Sequence, residues 1–194
     1  MVREKQALIA AMILMGVTPG LTVRADGALE ARKAIQAAYD RFGVAMHRKD
    51  AESATADFTP DFTELDGDGA AIQSGIPTER RQFQALFLYS RSITVTETIQ
   101  KLALRGKRAI VTIKEQMTLD STKQTPQGVR PLTFCSDSVH EDVWVRSGRR
   151  WLRQSTRTLS IQETVDGKPD APVPTRARSW RRRREAMLPS PGGR

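Results

Sequence analysis

Cysteine is nearly absent from this chain. Cys135 is the only one in 194 residues, so no internal disulfide can form and stability must come from the core, even in an oxidising compartment. Cys135 lies in an apolar stretch, Leu132-Thr133-Phe134-Cys135, where a small buried hydrophobe is expected rather than a nucleophile. Histidine is almost as scarce. His47 and His140 fall in separate predicted elements, which with one cysteine argues against a zinc or iron site, and no metal or other cofactor is expected. Asp66 and Asp68 flank Gly67, but the further ligands of a calcium loop are missing and a plain turn is expected there. Long apolar runs are missing too: Ala7–Val17 is well short of the about 20 residues a membrane-spanning helix needs.

That run has a different meaning. Arg3 and Lys5 precede it, and Val23-Arg24-Ala25 follows with small residues at the −3 and −1 positions of a cleavage site, so residues 1–25 are expected to be a cleavable export signal and the mature protein to be secreted or periplasmic. The net charge of +9 is unevenly spread. Residues 1–25 carry +2, residues 166–194 carry +5, and the body, 26–165, only +2. No phosphate-tracking groove is indicated, so no nucleic-acid partner is expected for the folded domain. Residues 166–194, rich in proline and carrying Arg181-Arg182-Arg183-Arg184, read as a disordered basic tail able to meet anionic surfaces.

The body begins with helical spacing. Leu29, Ala31, Ile35, Ala38, Phe42, Ala45 and Met46 fit one stripe, and a shorter helix over 51–58 is expected to end before Pro60. Extended structure follows from Asp61 to Glu64, with Asp66-Gly67-Asp68-Gly69 as a hairpin turn and a short return strand over 70–74. Pro77-Thr78-Glu79 opens a third helix bearing Phe83, Leu86 and Phe87. The period then becomes two: 93–99, 109–119, 132–146 and 151–163 read as long strands joined by tight turns at Gly106-Lys107 and Ser147-Gly148. Ser121–Pro131, polar with two prolines, reads as a long hairpin loop.

This order of elements resembles the nuclear transport factor 2-like superfamily, in its SnoaL-like and calcium/calmodulin kinase association-domain-like branches. Asp142-Val143-Trp144-Val145-Arg146-Ser147-Gly148-Arg149-Arg150-Trp151-Leu152 is similar to that group's strand-turn-strand with D-x-W, a Gly turn and a second Trp. Asp57-Phe58-Thr59-Pro60-Asp61-Phe62 is similar to its F-x-x-D-F/A passage. The resemblance implies an α+β fold over 26–165, a cone-shaped curved antiparallel sheet wrapped around about three helices. It also implies a pocket for a hydrophobic small molecule and, as in many relatives, a homodimer. Function is open between three classes: a small-molecule-binding domain, a cofactor-independent lyase, isomerase or hydrolase working by acid-base chemistry, and an oligomerising accessory domain.

Within such a cone the candidate catalytic residues are His140, Asp142 and Glu115. His140, Asp142 and Trp144 share one strand face; Val139, Glu141, Val143 and Val145 share the other, and the alternation does not say which points inward. If the first does, Asp142 is expected to orient His140 as a general base. Glu115 and Glu97 each sit on an otherwise apolar strand face, where desolvation would raise a carboxyl pKa, unless a basic neighbour such as Arg153 or Arg157 pairs with Glu115. Tyr39 and Asp61 resemble cavity-facing positions in relatives. Phe42, Phe62, Phe87 and Trp144 complete the expected ligand-binding set.

Overall fold

The computed structural model describes residues 19–169, with side chains from Gly27 onward. The expected export signal before residue 19 and the tail beyond 169 lie outside the described residues. Helix α1 (Pro19–Arg48) is followed by the single turn α2 (Ala51–Ala54), strands β1 (Phe58–Leu65) and β2 (Ala71–Ser74), and helix α3 (Ile76–Tyr89). Four long strands come next: β3 (Ser90–Arg105), β4 (Arg108–Thr125), β5 (Gly128–Ser147) and β6 (Arg150–Val165), with a two-residue β7 (Lys168–Pro169). They form one curved, unclosed sheet in the order β2-β1-β6-β5-β4-β3, with β7 beside β6. No described helix is long and apolar enough to cross a membrane.

Antiparallel meandering from β3 to β6 follows from the tight turns, where Gly106 and Gly148 adopt φ of 61° and 60°, a backbone region that favours glycine. The pairing of β1 with β6 is parallel, an exception to the antiparallel sheet expected from the sequence. Two other expectations change. The second helix stops at Ala54 and β1 starts at Phe58; Pro60 fits inside β1 because the β1–β6 ladder is interrupted between Phe58 and Thr63, where its missing N–H removes no hydrogen bond. The expected 121–131 loop is instead the continuation of β4 and β5, paired in register as far as Thr125 and Gly128. Pro131 is tolerated because β6 pairs with β5 only from Phe134 onward, leaving its missing N–H on a free edge.

Helix α1 packs across the concave side and also covers the outer edge of β3. The Gln36 side chain donates from Nε2 to the Glu97 carbonyl (2.8 Å) and accepts from the Ile99 N–H (3.2 Å), and Arg32 donates to the Ile99 carbonyl (2.6 Å). Those backbone groups would otherwise face the solvent at a sheet edge. The approach is close at Gly43, where an added Cβ would lie 2.6 Å from the Val95 carbonyl oxygen, so a larger residue would push helix and strand apart. Two apolar clusters result. One gathers Met46, Phe58, Phe62, Phe83, Leu86, Ile93 and Phe134 between α1, α3 and the sheet. The other gathers Ile35, Tyr39, Ile99, Val111, Ile113, Trp144 and Trp151 under the middle of α1. Cys135 is only half-buried, 3.9 Å from the Thr118 hydroxyl; it shares neither cluster, because its neighbours Phe134 and Ser136 take the inward positions.

Candidate functional site

Register carries the polar residues to one place. Residues directly opposite in an antiparallel pair share a face, and the rungs across β3, β4, β5 and β6 run Glu97–Glu115–Ser138, then Ile113–His140–Thr158, then Val111–Asp142–Thr156, then Ala109–Trp144–Arg153. Asp142 and Trp144 are 0% and 1% exposed, so the His140/Asp142/Trp144 face points into the cone and the valine face points out. Register shifts between β5 and β6 fall at Val139/His140 and Val143/Trp144. The second lets Arg153 and Thr156, at odd and even positions, both face inward.

Behind the concave surface these side chains form a dense ion-pair network. Arg153, 5% exposed, donates from Nη2 to both carboxylate oxygens of Glu97 (3.0 and 3.1 Å), and its Nε lies 3.4 Å from Asp142 Oδ2. Asp142 also accepts from the Tyr39 hydroxyl (2.7 Å) and the Thr156 hydroxyl (2.5 Å), and Tyr39 in turn accepts from Trp144 Nε1 (2.9 Å). The guanidinium stands over the rings of Tyr39, Trp144, Phe42 and Phe58 at 4.7, 5.3, 5.4 and 5.4 Å. Burial, the largest influence on Arg153, disfavours its charge, but Glu97 and Asp142 outweigh it and hold the group protonated. Burial likewise raises the Tyr39 hydroxyl pKa, with Asp142 adding to the effect. Burial also raises the Glu97 carboxyl, against the pull of Arg153.

A cavity of about 70 Å³ opens in front of this network. Glu97, Glu115, His140, Arg153, Thr156 and Thr158 line it from β3 to β6, Phe58, Phe62 and Glu64 from β1, Phe42 from α1, and Glu79 and Phe83 from α3. His140 is held at both nitrogens, Nε2 at 2.7 Å from the Ser138 hydroxyl and Nδ1 at 3.3 Å from the Thr158 hydroxyl. Glu115 Oε1 lies 3.8 Å from His140 Nε2. Burial, the largest influence on His140, lowers its pKa, but Glu115, Asp142 and Glu97 together leave it raised. Across the cavity Glu79, in the first turn of α3, is 5% exposed and accepts from the Gln73 amide. Burial and the nearby Glu64 push its carboxyl up to about 7.

His140, Glu115, Glu97, Phe42 and Phe62 from the sequence-derived set therefore line the cavity, and Tyr39, Asp142 and Trp144 lie in the network behind it. The partner of His140 is Glu115, not Asp142: Asp142 is committed to Arg153, Tyr39 and Thr156, so it does not orient the imidazole. Arg153 pairs with Glu97 at 3.0 Å, and Arg157 pairs with Glu141 at 2.8 Å. Asp61 is exposed, because Phe62 takes the inward position of β1 and alternation turns Asp61 out. Phe87 packs against the first apolar cluster outside the cavity lining. Asp66 makes the expected turn, accepting from the Asp68 and Ala70 N–H groups at 3.0 and 2.8 Å, and among the described residues no His, Cys, Asp and Glu group could hold a metal.

Glu79, Arg153, Thr156 and Thr158 were absent from the sequence-derived set. Arg153 had a signal: counting back through the Ser147-Gly148 turn puts it opposite Trp144. Glu79 had none, since an acid in the first turn of a helix is ordinary dipole chemistry.

Among solved structures the same architecture recurs. A candidate scytalone dehydratase from Novosphingobium aromaticivorans superposes with a TM-score of 0.60 at 14% identity, over 77% of this chain and 97% of the other. The chain has the nuclear transport factor 2-like fold. A candidate dehydratase from Streptomyces avermitilis, itself assigned to the nuclear transport factor 2-like family, matches with a TM-score of 0.53 at 18% identity, over 69% of this chain and 95% of that one. A hexachlorocyclohexane dehydrochlorinase of the same fold gives 0.54 at 12% identity, over 75% and 92%. No family model matches, and no curated protein matches by sequence. Identities this low carry the nuclear transport factor 2-like fold and not an activity.

Proposed function

We propose that the cone is a proton-transfer site, a cofactor-independent lyase or isomerase acting on a small molecule. The observation that carries this reading is His140 facing the cavity with Glu115 3.8 Å away and hydroxyls at both ring nitrogens. Neutral His140 takes a proton from a carbon next to an electron-withdrawing group. The C–H pair moves into a new C=C bond and the β-substituent leaves with its own pair. The imidazolium, balanced by the Glu115 carboxylate, returns its proton to a departing hydroxide as water; in an isomerisation no substituent leaves, the C–H pair is held as an enolate, and the same proton is returned at another carbon. Glu115 is a positioning residue, and the Phe wall excludes water. Neighbours of this fold that carry dehydratase and dehydrochlorinase names are compatible with an elimination.

The test uses 4-hydroxy-2-butanone, whose loss of water gives an ultraviolet-absorbing enone. His140→Gln is expected to lower the rate about 100-fold or more. Glu115→Gln is expected to retain part of the rate and move the rising limb of the pH profile to lower pH, because Glu115 helps hold the imidazole pKa up. Wild-type protein no faster than buffer, or full activity in His140→Gln, would overturn the proposal. The cavity's small volume, about 70 Å³, favours a second reading, a binding domain without turnover, in which the wild type binds such probes and leaves them unchanged.

We also propose export, on the strength of Arg3, Lys5, the 7–17 apolar run and the Val23-Arg24-Ala25 site. Sequencing of the N-terminus of secreted material is expected to begin near Asp26; secreted material beginning at Met1 or Val2 would refute cleavage.

A further inference from the structure

Charge is distributed unequally across the cavity. Its two basic side chains are engaged on the sheet side, Arg153 with Glu97 and Asp142 and His140 with Glu115. Glu64 on β1, beside Thr156 of β6, and Glu79 on α3 also line the cavity. Gln73, opposite Glu64 in the β1–β2 register, donates its amide to Glu79. Glu64 is the strongest charged influence on Glu79, and Arg153 is the weakest influence of all. Four carboxyl groups and two basic side chains line the cavity, and above the Glu79 pKa of about 7 the balance disfavours an anionic ligand.

The neighbouring surface is aromatic. Phe58 stacks on Phe62 with centroids 4.2 Å apart, and Phe42 meets Phe83 at 5.8 Å. The protein already holds one organic cation on this wall: the Arg153 guanidinium lies over Phe42 and Phe58 while bound to carboxylates. The same combination of π-faces and carboxylates continues along the cavity through Phe62 and Phe83 to Glu64 and Glu79. Ring faces attract cations through their quadrupole, most strongly where water is excluded.

We propose that this cavity takes a small organic cation, a primary alkylammonium whose charged end sits between Glu64 and Glu79 and whose carbon end lies against Phe62 and Phe83. The inference rests on reading the cavity as the functional site, and it names the ligand class. A volume of about 70 Å³ limits the ligand to a few heavy atoms unless side chains move.

Met46 and Met117 line the cavity, so their methyl groups report binding there directly. The full chain, with carbon-13-labelled methionine methyls, is titrated at about pH 8, above the Glu79 pKa, with butylammonium, 1-butanol and butyrate, which share shape and differ in charge. Butylammonium is expected to shift both methyl signals with a Kd about ten-fold or more below that of 1-butanol, the factor that about 1.4 kcal/mol confers; butyrate is expected to shift neither. Glu79→Gln is expected to weaken butylammonium to the level of the alcohol. Glu64→Gln is expected to weaken it several-fold, and it carries the test should the Glu79 variant lose the native spectrum. Binding of 1-butanol as tight as butylammonium, binding of butyrate, absence of any shift, or an unchanged Kd in the folded variants would each overturn the proposal. The first of these removes the cation preference and leaves proton transfer by His140 standing, whereas an inactive wild type with charge-selective binding removes the chemistry and keeps the ligand class.

Discussion

Arg153→Met is expected to destabilise the protein by about 3–5 kcal/mol, enough to unfold a domain of ordinary stability. The methionine fills much of the same volume, so lost packing is not the cause. Removing the guanidinium strands Glu97 and Asp142, 3% and 0% exposed, as buried acids without a counter-charge, and their desolvation is no longer offset. The same logic predicts a rescue. Adding Glu97→Gln and Asp142→Asn to Arg153→Met leaves amides that keep hydrogen bonds without charge, and most of the lost stability is expected to return. Urea unfolding of the single and triple variants reads both numbers. A single variant within about 1 kcal/mol of wild type would mean that the network contributes little.

Glu79→Gln should act in the opposite direction. The carboxyl titrates at about 7 in the folded protein against an ordinary 4.5, so the folded state holds the proton more tightly than the unfolded one. Relative stability from this group is fully present below about pH 4.5 and is lost as pH rises through 7. A gap of that size corresponds to about 3 kcal/mol. The neutral glutamine carries no such cost, so the variant is expected to be more stable than wild type by about 2–3 kcal/mol at pH 8 and by nearly nothing at pH 4.5. Chemical denaturation at the two pH values measures the difference; equal stability at pH 8 would show that Glu79 is better solvated than its 5% exposure implies. An acid kept at that cost in a cavity wall is what a functional role would require.

The four long strands were legible because period-two alternation persists over many residues and glycine turns punctuate it. Which face turned inward was not, since the His140/Asp142/Trp144 face and the valine face are both plausible interiors until a partner for the charges is known. Arg153 supplies that partner, but a register shift beside it changes parity in β6, so simple alternation would separate it from Thr156 and Thr158 on the same wall. Asp61 was misplaced by one residue of phase: Phe62 takes the inward position. Polar composition and two prolines made residues 121–131 look like a loop, whereas cross-strand pairing with a free edge beside Pro131 lets them continue as strands. Glu79 was invisible because its burial depends on β1 and β2 folding over the start of α3, a contact with no local sequence trace.

The parallel seam between β1 and β6 also bears on how the molecule is assembled. Every other long pairing joins neighbours in the chain and can zip from a turn, but β1 leaves the ribosome long before β6 exists and must wait for it. Until then β1 has only β2 to pair with, and no strand holds Phe58 and Phe62 in register against the rest of the sheet. The half of the cavity they build is therefore the last part of the protein to be completed, and the nascent chain is most exposed to misassociation in the interval before β6 arrives.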